Sequence, residues 1–147
     1  MKKISILAMA MLIACSVHAQ QALWGGGSVE SPVINEDGTV TFRYQAPKAV
    51  KVTVSGDFLP SQKMVYKMGD QEITYDAPGV GELKEGMNGV WEYTTPQPLE
   101  PELYCYRFIV DGLTINDPNN VYRIRDIVTV SNVFIIGGGQ ADLYQIK

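Results

Sequence analysis

Leu103-Tyr104-Cys105-Tyr106-Arg107-Phe108-Ile109-Val110-Asp111-Gly112 is the stretch on which the fold turns. Tyr104, Tyr106, Phe108 and Val110 fall on one side of a period-two pattern. Leu103, Cys105, Arg107 and Ile109 fall on the other. Eight alternating residues rich in aromatic and β-branched types describe a strand, and Asp111-Gly112 is a turn that sends the chain back into Leu113-Thr114-Ile115.

Working outward, the same period recurs. Val40, Phe42 and Tyr44 alternate with Thr39, Thr41, Arg43 and Gln45 after the turn signal Asn35-Glu36-Asp37-Gly38. Pro47 ends that run, since it has no N–H to donate. Val50, Val52 and Val54 then alternate up to Gly56-Asp57. Two β-branched runs joined by a short proline-containing link suggest an antiparallel start. Met64, Tyr66 and Met68 alternate before Gly69-Asp70, and 76–89 reads as a glycine-rich loop. Val90 to Thr95 is a further strand with Trp91 and Tyr93 on one face. Pro96, Pro98 and Pro101 stiffen the link that follows. Val128 to Ile136 is the last strand, ended by Gly137-Gly138-Gly139. No stretch after residue 19 carries a helical period. The expected fold is all-β, an immunoglobulin-like (early-set) β-sandwich of about seven or eight strands over 33–137.

The N-terminus has the pattern of an export signal. Lys2 and Lys3 precede an apolar run from Ile4 to Val17, and Val17-His18-Ala19 offers small residues at a cleavage site. The run is short for a membrane span, which takes about 20 apolar residues. Leu12-Ile13-Ala14-Cys15 also fits a lipidation pattern, so Cys15 is an alternative first mature residue. Cleavage after Ala19 leaves the apolar run at full length and is the favoured reading. The expected organisation is a signal peptide over 1–19, a flexible mature N-terminus over 20–32, the sandwich, and a linker over 138–147 leading toward a C-terminal domain. The protein is expected to be exported, periplasmic or secreted, and lipid-anchored if Cys15 is the cleavage site.

What the chain lacks narrows its chemistry. His18 is the single histidine and falls in the leader. Without it, Ser-His-Asp and Cys-His catalysis and histidine-bearing zinc sites are not available. Of the two cysteines only Cys105 remains beyond the leader, which rules out an intramolecular disulfide in the mature chain. A formal charge of −4 becomes more negative once Lys2 and Lys3 leave, which argues against nucleic acid and anionic membrane surfaces. Asp57, Glu92, Asp111 and Asp117 are the carboxylates placed for acid–base work, but each lies at a turn or on the polar side of a strand, where capping or solvation is the ordinary role. No enzyme activity by this chain, no cofactor and no metal are expected. Trp91 and the tyrosines suit a sugar platform or, more commonly, core packing.

At Leu103 to Asn120 the pattern Tyr104-x-Tyr106-x-Phe108-x-Val110-Asp111-Gly112, four residues, then Asp117-Pro118-x-Asn120 resembles the carbohydrate-binding module of family 48. Val54-Ser55-Gly56-Asp57-Phe58 and Gly89-Val90-Trp91 match two further landmarks, and the similarity runs from Val33 to Ile136. The resemblance implies a glycan site, which carries over onto Arg107, Thr114 and Asn132 (or its neighbour Ser131), with Trp91 nearby. Leu59-Pro60-Ser61 and Thr114 stand where the family has stacking tryptophans, so starch or glycogen binding is not implied. The mature start and the end at Ala141 to Lys147 are also similar to the leading module of secreted Bacteroidetes esterases of the feruloyl or acetyl-xylan kind. That implies a non-catalytic accessory module whose partners are a C-terminal esterase domain or a polysaccharide. The alternative is an autonomous carbohydrate-binding protein with a changed sugar site. A structural or adhesive surface domain is a further possibility.

Overall fold

Strand-forming alternation is realised around Leu103–Val110, which lies inside the larger of the two facing sheets. A computed structural model describes residues 29–144, so the expected signal peptide over 1–19, Cys15 included, lies outside the described residues. Among those described there are twelve strands: β1 (Val33–Ile34), β2 (Val40–Gln45), β3 (Val52–Gly56), β4 (Gln62–Met68), β5 (Gln71–Ala77), β6 (Gly79–Glu82), β7 (Lys84–Glu85), β8 (Val90–Thr94), β9 (Leu103–Val110), β10 (Leu113–Ile115), β11 (Arg123–Arg125) and β12 (Val130–Ile135). Short 3-10 turns occupy Met87–Gly89 and Gly139–Tyr144. One sheet runs β1-β2-β8-β7. The other runs β11-β12-β9-β3-β6, with β10 paired to β9. Strands β4 and β5 form a separate two-stranded sheet. The paired strands are antiparallel throughout.

The all-β sandwich is as expected, but three details differ. The strand count exceeds seven or eight, because β1, β6, β7 and β11 are too short for alternation to mark them and β5 went unread. β6 and β7 fall inside the stretch 76–89 that reads as loop. The valine runs of β2 and β3 do not pair with each other. The Pro47 link carries the chain across the core, so β2 pairs β1 and β8 while β3 pairs β6 and β9. Val50, read as part of the β3 pattern, precedes the strand and is 87% exposed.

Between the sheets lies an aromatic core. Phe42 is fully buried and stacks on Phe58, with ring centroids 4.9 Å apart and planes 7° apart. Tyr106 meets Phe42 edge-on at 5.0 Å, and Phe134 does so at 5.6 Å. Val40, Val52, Val54, Leu83 and Phe108 complete the fully enclosed set. Gly56 has a specific task. A Cβ built there would lie 2.3 Å from the Phe58 ring, so only glycine lets that ring lie over β3 and reach Phe42.

The Asp-Gly turn after β9 also has a reason beyond reversal. Asp111 takes φ 48° and Gly112 φ 87°. This aims the Asp111 carboxylate at the start of β3, where it accepts the N–H of Val50 at 2.9 Å and of Lys51 at 2.8 Å. Farther on, the returning segment is tied down by a buried polar knot. The Tyr106 hydroxyl donates to Asp117 Oδ2 at 2.8 Å and accepts from Asn120 Nδ2 at 3.0 Å. Asn132 Oδ1 accepts the Asp117 N–H at 2.7 Å, and its amide nitrogen donates to the Asn120 carbonyl at 2.8 Å. Asp117 and Asn132 are wholly enclosed, and no buried side-chain polar atom among the described residues lacks a partner. Burial first, then the neighbouring Asp117 charge, push the Tyr106 hydroxyl well above the usual tyrosine range, so it stays a donor.

Two substitutions test this account. Tyr106→Phe keeps the ring but strips a hydrogen bond from a buried carboxylate. It should lower unfolding stability by about 1–3 kcal/mol, read as a lower urea midpoint at unchanged m-value. Gly56→Ala should cost a comparable ~1–3 kcal/mol, because the Phe58 ring must leave its stack. An unchanged midpoint in either would contradict the packing described.

Candidate functional site

The residues singled out for sugar binding do not converge. Arg107 on β9 pairs with Ser55 on β3 and points to the outer face of the larger sheet. Its guanidinium helps hold the Asp126 carboxyl below the usual carboxylate range, after the hydrogen bonds from Thr129 and Val128. Thr114 on β10 is exposed and opposes Ile109, so it shares that outer face with Arg107. The other two are interior. Trp91 is 8% exposed, and its indole N–H donates to the Ala46 carbonyl at 3.0 Å. Asn132 is fully enclosed, with its amide spent on the polar knot. Neither has a surface to offer a sugar, which corrects the expectation for Trp91 and Asn132. Alternation turns Ser131, opposite Ile124, to the outer face instead.

The carboxylates considered for acid–base work are engaged as structural acceptors. Asp57 accepts the Cys105 N–H at 2.9 Å. Asp111 holds the start of β3, and Asp117 accepts the Asn119 N–H at 2.8 Å besides the Tyr106 hydroxyl. Glu92 pairs with Arg43 at 2.6 Å. Asp57 is pushed upward chiefly by burial. Cys105 is half-buried, and burial together with the charges of Asp57 and Asp126 raises its thiol, the opposite of what activates a nucleophile. Among the described residues no three His, Cys, Asp or Glu side chains are grouped to hold a metal ion. No helix among them is long and apolar enough to cross a membrane.

The feature that stands out is the β4–β5 hairpin. Gly69 takes φ 62° in the two-residue turn, and Met68 pairs with Gln71. Register then sorts the side chains. Met64 opposes Tyr75, and Tyr66 opposes Ile73, so these four and Met68 form one apolar face. On the other face Lys63 pairs with Asp76 at 2.9 Å, and Lys67 with Glu72 at 3.0 Å. Every residue of the apolar face is open: Met64 45%, Tyr66 58%, Met68 58%, Ile73 43% and Tyr75 47% exposed. The hairpin pairs with neither large sheet. A two-stranded ribbon is marginal alone in water, and a contiguous apolar face of this kind marks a contact surface. Sequence reading found β4 and the turn and missed β5. The alternation Ile73-x-Tyr75-x-Ala77 straight after Gly69-Asp70 is the hairpin signal that was available.

The ends of the described chain also differ from expectation. Ser31, placed in a flexible stretch, is 4% exposed, and its Oγ accepts the Arg43 N–H at 3.1 Å. Ala141, placed in a linker, is 1% exposed within the last 3-10 turn. Beside both ends lies an open groove of about 1120 Å³.

No protein-family model matches the sequence. Over 89 residues the chain is 32% identical to an endo-1,4-beta-xylanase/feruloyl esterase of Xylanibacter ruminicola. That match takes 60% of this chain and 10% of the relative, so the chain spans about a tenth of the length of the curated relative it matches. Among solved structures, the catalytic module of the multi-modular glycogen-degrading pneumococcal virulence factor SpuA aligns at 20% identity and a TM-score of 0.44, covering 72% of this chain and 15% of that one. Pullulanase from Bacillus acidopullulyticus aligns at 22% identity and the same TM-score of 0.44, covering 76% and 12%. Likenesses this distant carry no argument about function. The relative itself is a carbohydrate-active enzyme far longer than the stretch matched.

The hairpin's separateness has a measurable consequence. Amides of β4 and β5 should exchange with solvent far faster than those of β9, which is paired on both edges. Hydrogen exchange followed by NMR reads this directly, and equal protection in the two regions would mean the hairpin is not an independent unit.

Proposed function

We propose that the chain is a non-catalytic accessory module of an exported, carbohydrate-active esterase, and that it works by docking on the catalytic domain. The apolar face of the β4–β5 hairpin carries this reading. It is pre-formed, bears large side chains, and is backed by ion pairs that keep the opposite face in water. Met and Tyr are the side chains that association surfaces favour. The match to one tenth of an endo-1,4-beta-xylanase/feruloyl esterase supports a feruloyl esterase domain as the kind of partner. The proposed module is delivered outside the cytoplasm, in the periplasm or beyond.

A second reading, an autonomous carbohydrate-binding protein, is favoured by one observation. Arg107 and Thr114 share the outer face of the larger sheet. It lacks a stacking aromatic on the residues proposed for it, since Trp91 is interior.

The docking reading is tested by mixing the module with an esterase domain of the matched type and measuring association. Tyr66→Asp with Ile73→Asp should weaken it by at least tenfold while leaving the melting temperature nearly unchanged, because neither side chain supports the core. Binding that ignores the double variant would sink the reading. Retardation of the free module in gels cast with xylan, starch or pectin, lost on Arg107→Ala, would favour the second reading instead. Turnover of a nitrophenyl ester by the module alone would overturn both.

A further inference from the structure

The open groove lies apart from the hairpin and from the outer face that carries Arg107 and Thr114, since none of those residues lines it. Ile34 of β1 and Val133 and Ile135 of β12 do line it, so both large sheets contribute to its walls. At about 1120 Å³ it exceeds the roughly 300–1,000 Å³ of a pocket that encloses one small molecule. An open trough of that size suits a chain-like ligand lying along it.

Two exposed tyrosines stand in this lining, Tyr122 at 67% and Tyr144 at 56% exposure. The main chain of Tyr122 is held firmly: its N–H donates to Asn120 Oδ1 at 2.9 Å, and its carbonyl accepts the Val133 N–H at 3.1 Å. The polar knot thus fixes the Tyr122 backbone and makes no use of its ring. Glu30 and Asn119 line the same groove, both exposed, and neither side chain has a hydrogen bond or ion pair among the described residues. Glu30 is also the one charged side chain among the described residues of the lining, so an anionic ligand would be repelled. Aromatic faces want apolar C–H surface, while a carboxylate and an amide want hydroxyl or N–H donors. A pyranose ring has both, with C–H bonds on its faces and hydroxyls on its rim. An extended peptide fits less well, because β1 at the sheet edge is two residues long and too short to recruit a strand through main-chain bonds.

We propose that this groove binds an uncharged oligosaccharide, with Tyr122 and Tyr144 stacking on its pyranose rings and Glu30 and Asn119 taking hydrogen bonds from its hydroxyls. The site is separate from the apolar face of β4–β5. Glycan held here and a partner docked there do not compete, and either can fail without the other.

The test titrates the full isotope-labelled chain with xylohexaose, cellohexaose and maltohexaose into the millimolar range, followed by NMR. At least one of the three should move the amides of Ile34, Asn119 and Tyr122 while leaving those of β4 and β5 in place. Tyr122→Ala and Tyr144→Ala should each weaken that binding by about tenfold, and Tyr122→Phe, which keeps the ring, should weaken it far less. The melting temperature should stay nearly constant in all three variants, because neither ring belongs to the core. Arg107→Ala, and Tyr66→Asp with Ile73→Asp, should leave sugar binding unchanged. No shift with any of the three sugars, shifts confined to the face around Arg107, or indifference to both alanine variants would overturn the proposal. So would a lysine-rich peptide taking the groove at lower concentration than any of the sugars, since Glu30 and the tyrosines would then be reading a cation.

Discussion

Tyr106 joins two environments that otherwise have no reason to meet. Its ring is part of the aromatic packing between the sheets, and its hydroxyl is the hub of a knot made by Asp117, Asn120 and Asn132. A buried carboxylate is costly unless hydrogen bonds satisfy it, and here the Tyr106 hydroxyl and the Asn119 backbone N–H do so. Once those bonds are made, the segment from Asp117 to Asn120 has little freedom. It is fastened to β9 and β12 together before the chain reaches the edge strand β11. The larger sheet's order depends on that fastening as much as on strand pairing.

The same dependence explains which parts of the sequence could be read. Residues whose role is local announce themselves. Asp111-Gly112 is a turn by its own chemistry, and the tyrosine-rich strand is a strand by its own alternation. Gly56 and Phe58 stood out as a landmark, and the packing supplies the cause, since Phe58 lies where a Cβ on Gly56 would be. Asp117 and Asn120 were likewise visible as a pattern, but Asn132 stood out only as a glycan-site residue and not as their partner, because a hydrogen bond between residues 15 apart in sequence leaves no period behind.

What could not be read concerns which layer an element joins. β2 and β3 carry almost the same alternation, and nothing in either run says that Pro47 sends the second across the core. Trp91 alternates with polar neighbours, as a core residue and a sugar platform both would. Its burial and the Ala46 carbonyl accepting its indole N–H separate the two. The hairpin posed the converse problem. Met64, Tyr66 and Met68 have the pattern of a half-buried strand, and the expectation that apolar means interior fails because register places them against Ile73 and Tyr75 on a ribbon that covers no core.

That failure bears on function. Among the described residues, the interior of this sandwich employs its aromatic side chains on one another and its central carboxylates on backbone amides. A contiguous part of the apolar area it presents to its surroundings lies on the β4–β5 ribbon. An open face such as that of β4–β5 is a liability for a lone domain, since it favours indiscriminate association. The charged reverse side limits this, because Lys63–Asp76 and Lys67–Glu72 keep a second sheet from stacking there without desolvating four charges. Contact is thereby restricted to one face of the ribbon. A surface that is apolar on one side and guarded on the other restricts the orientations in which a partner can meet it, which is what the proposed docking requires.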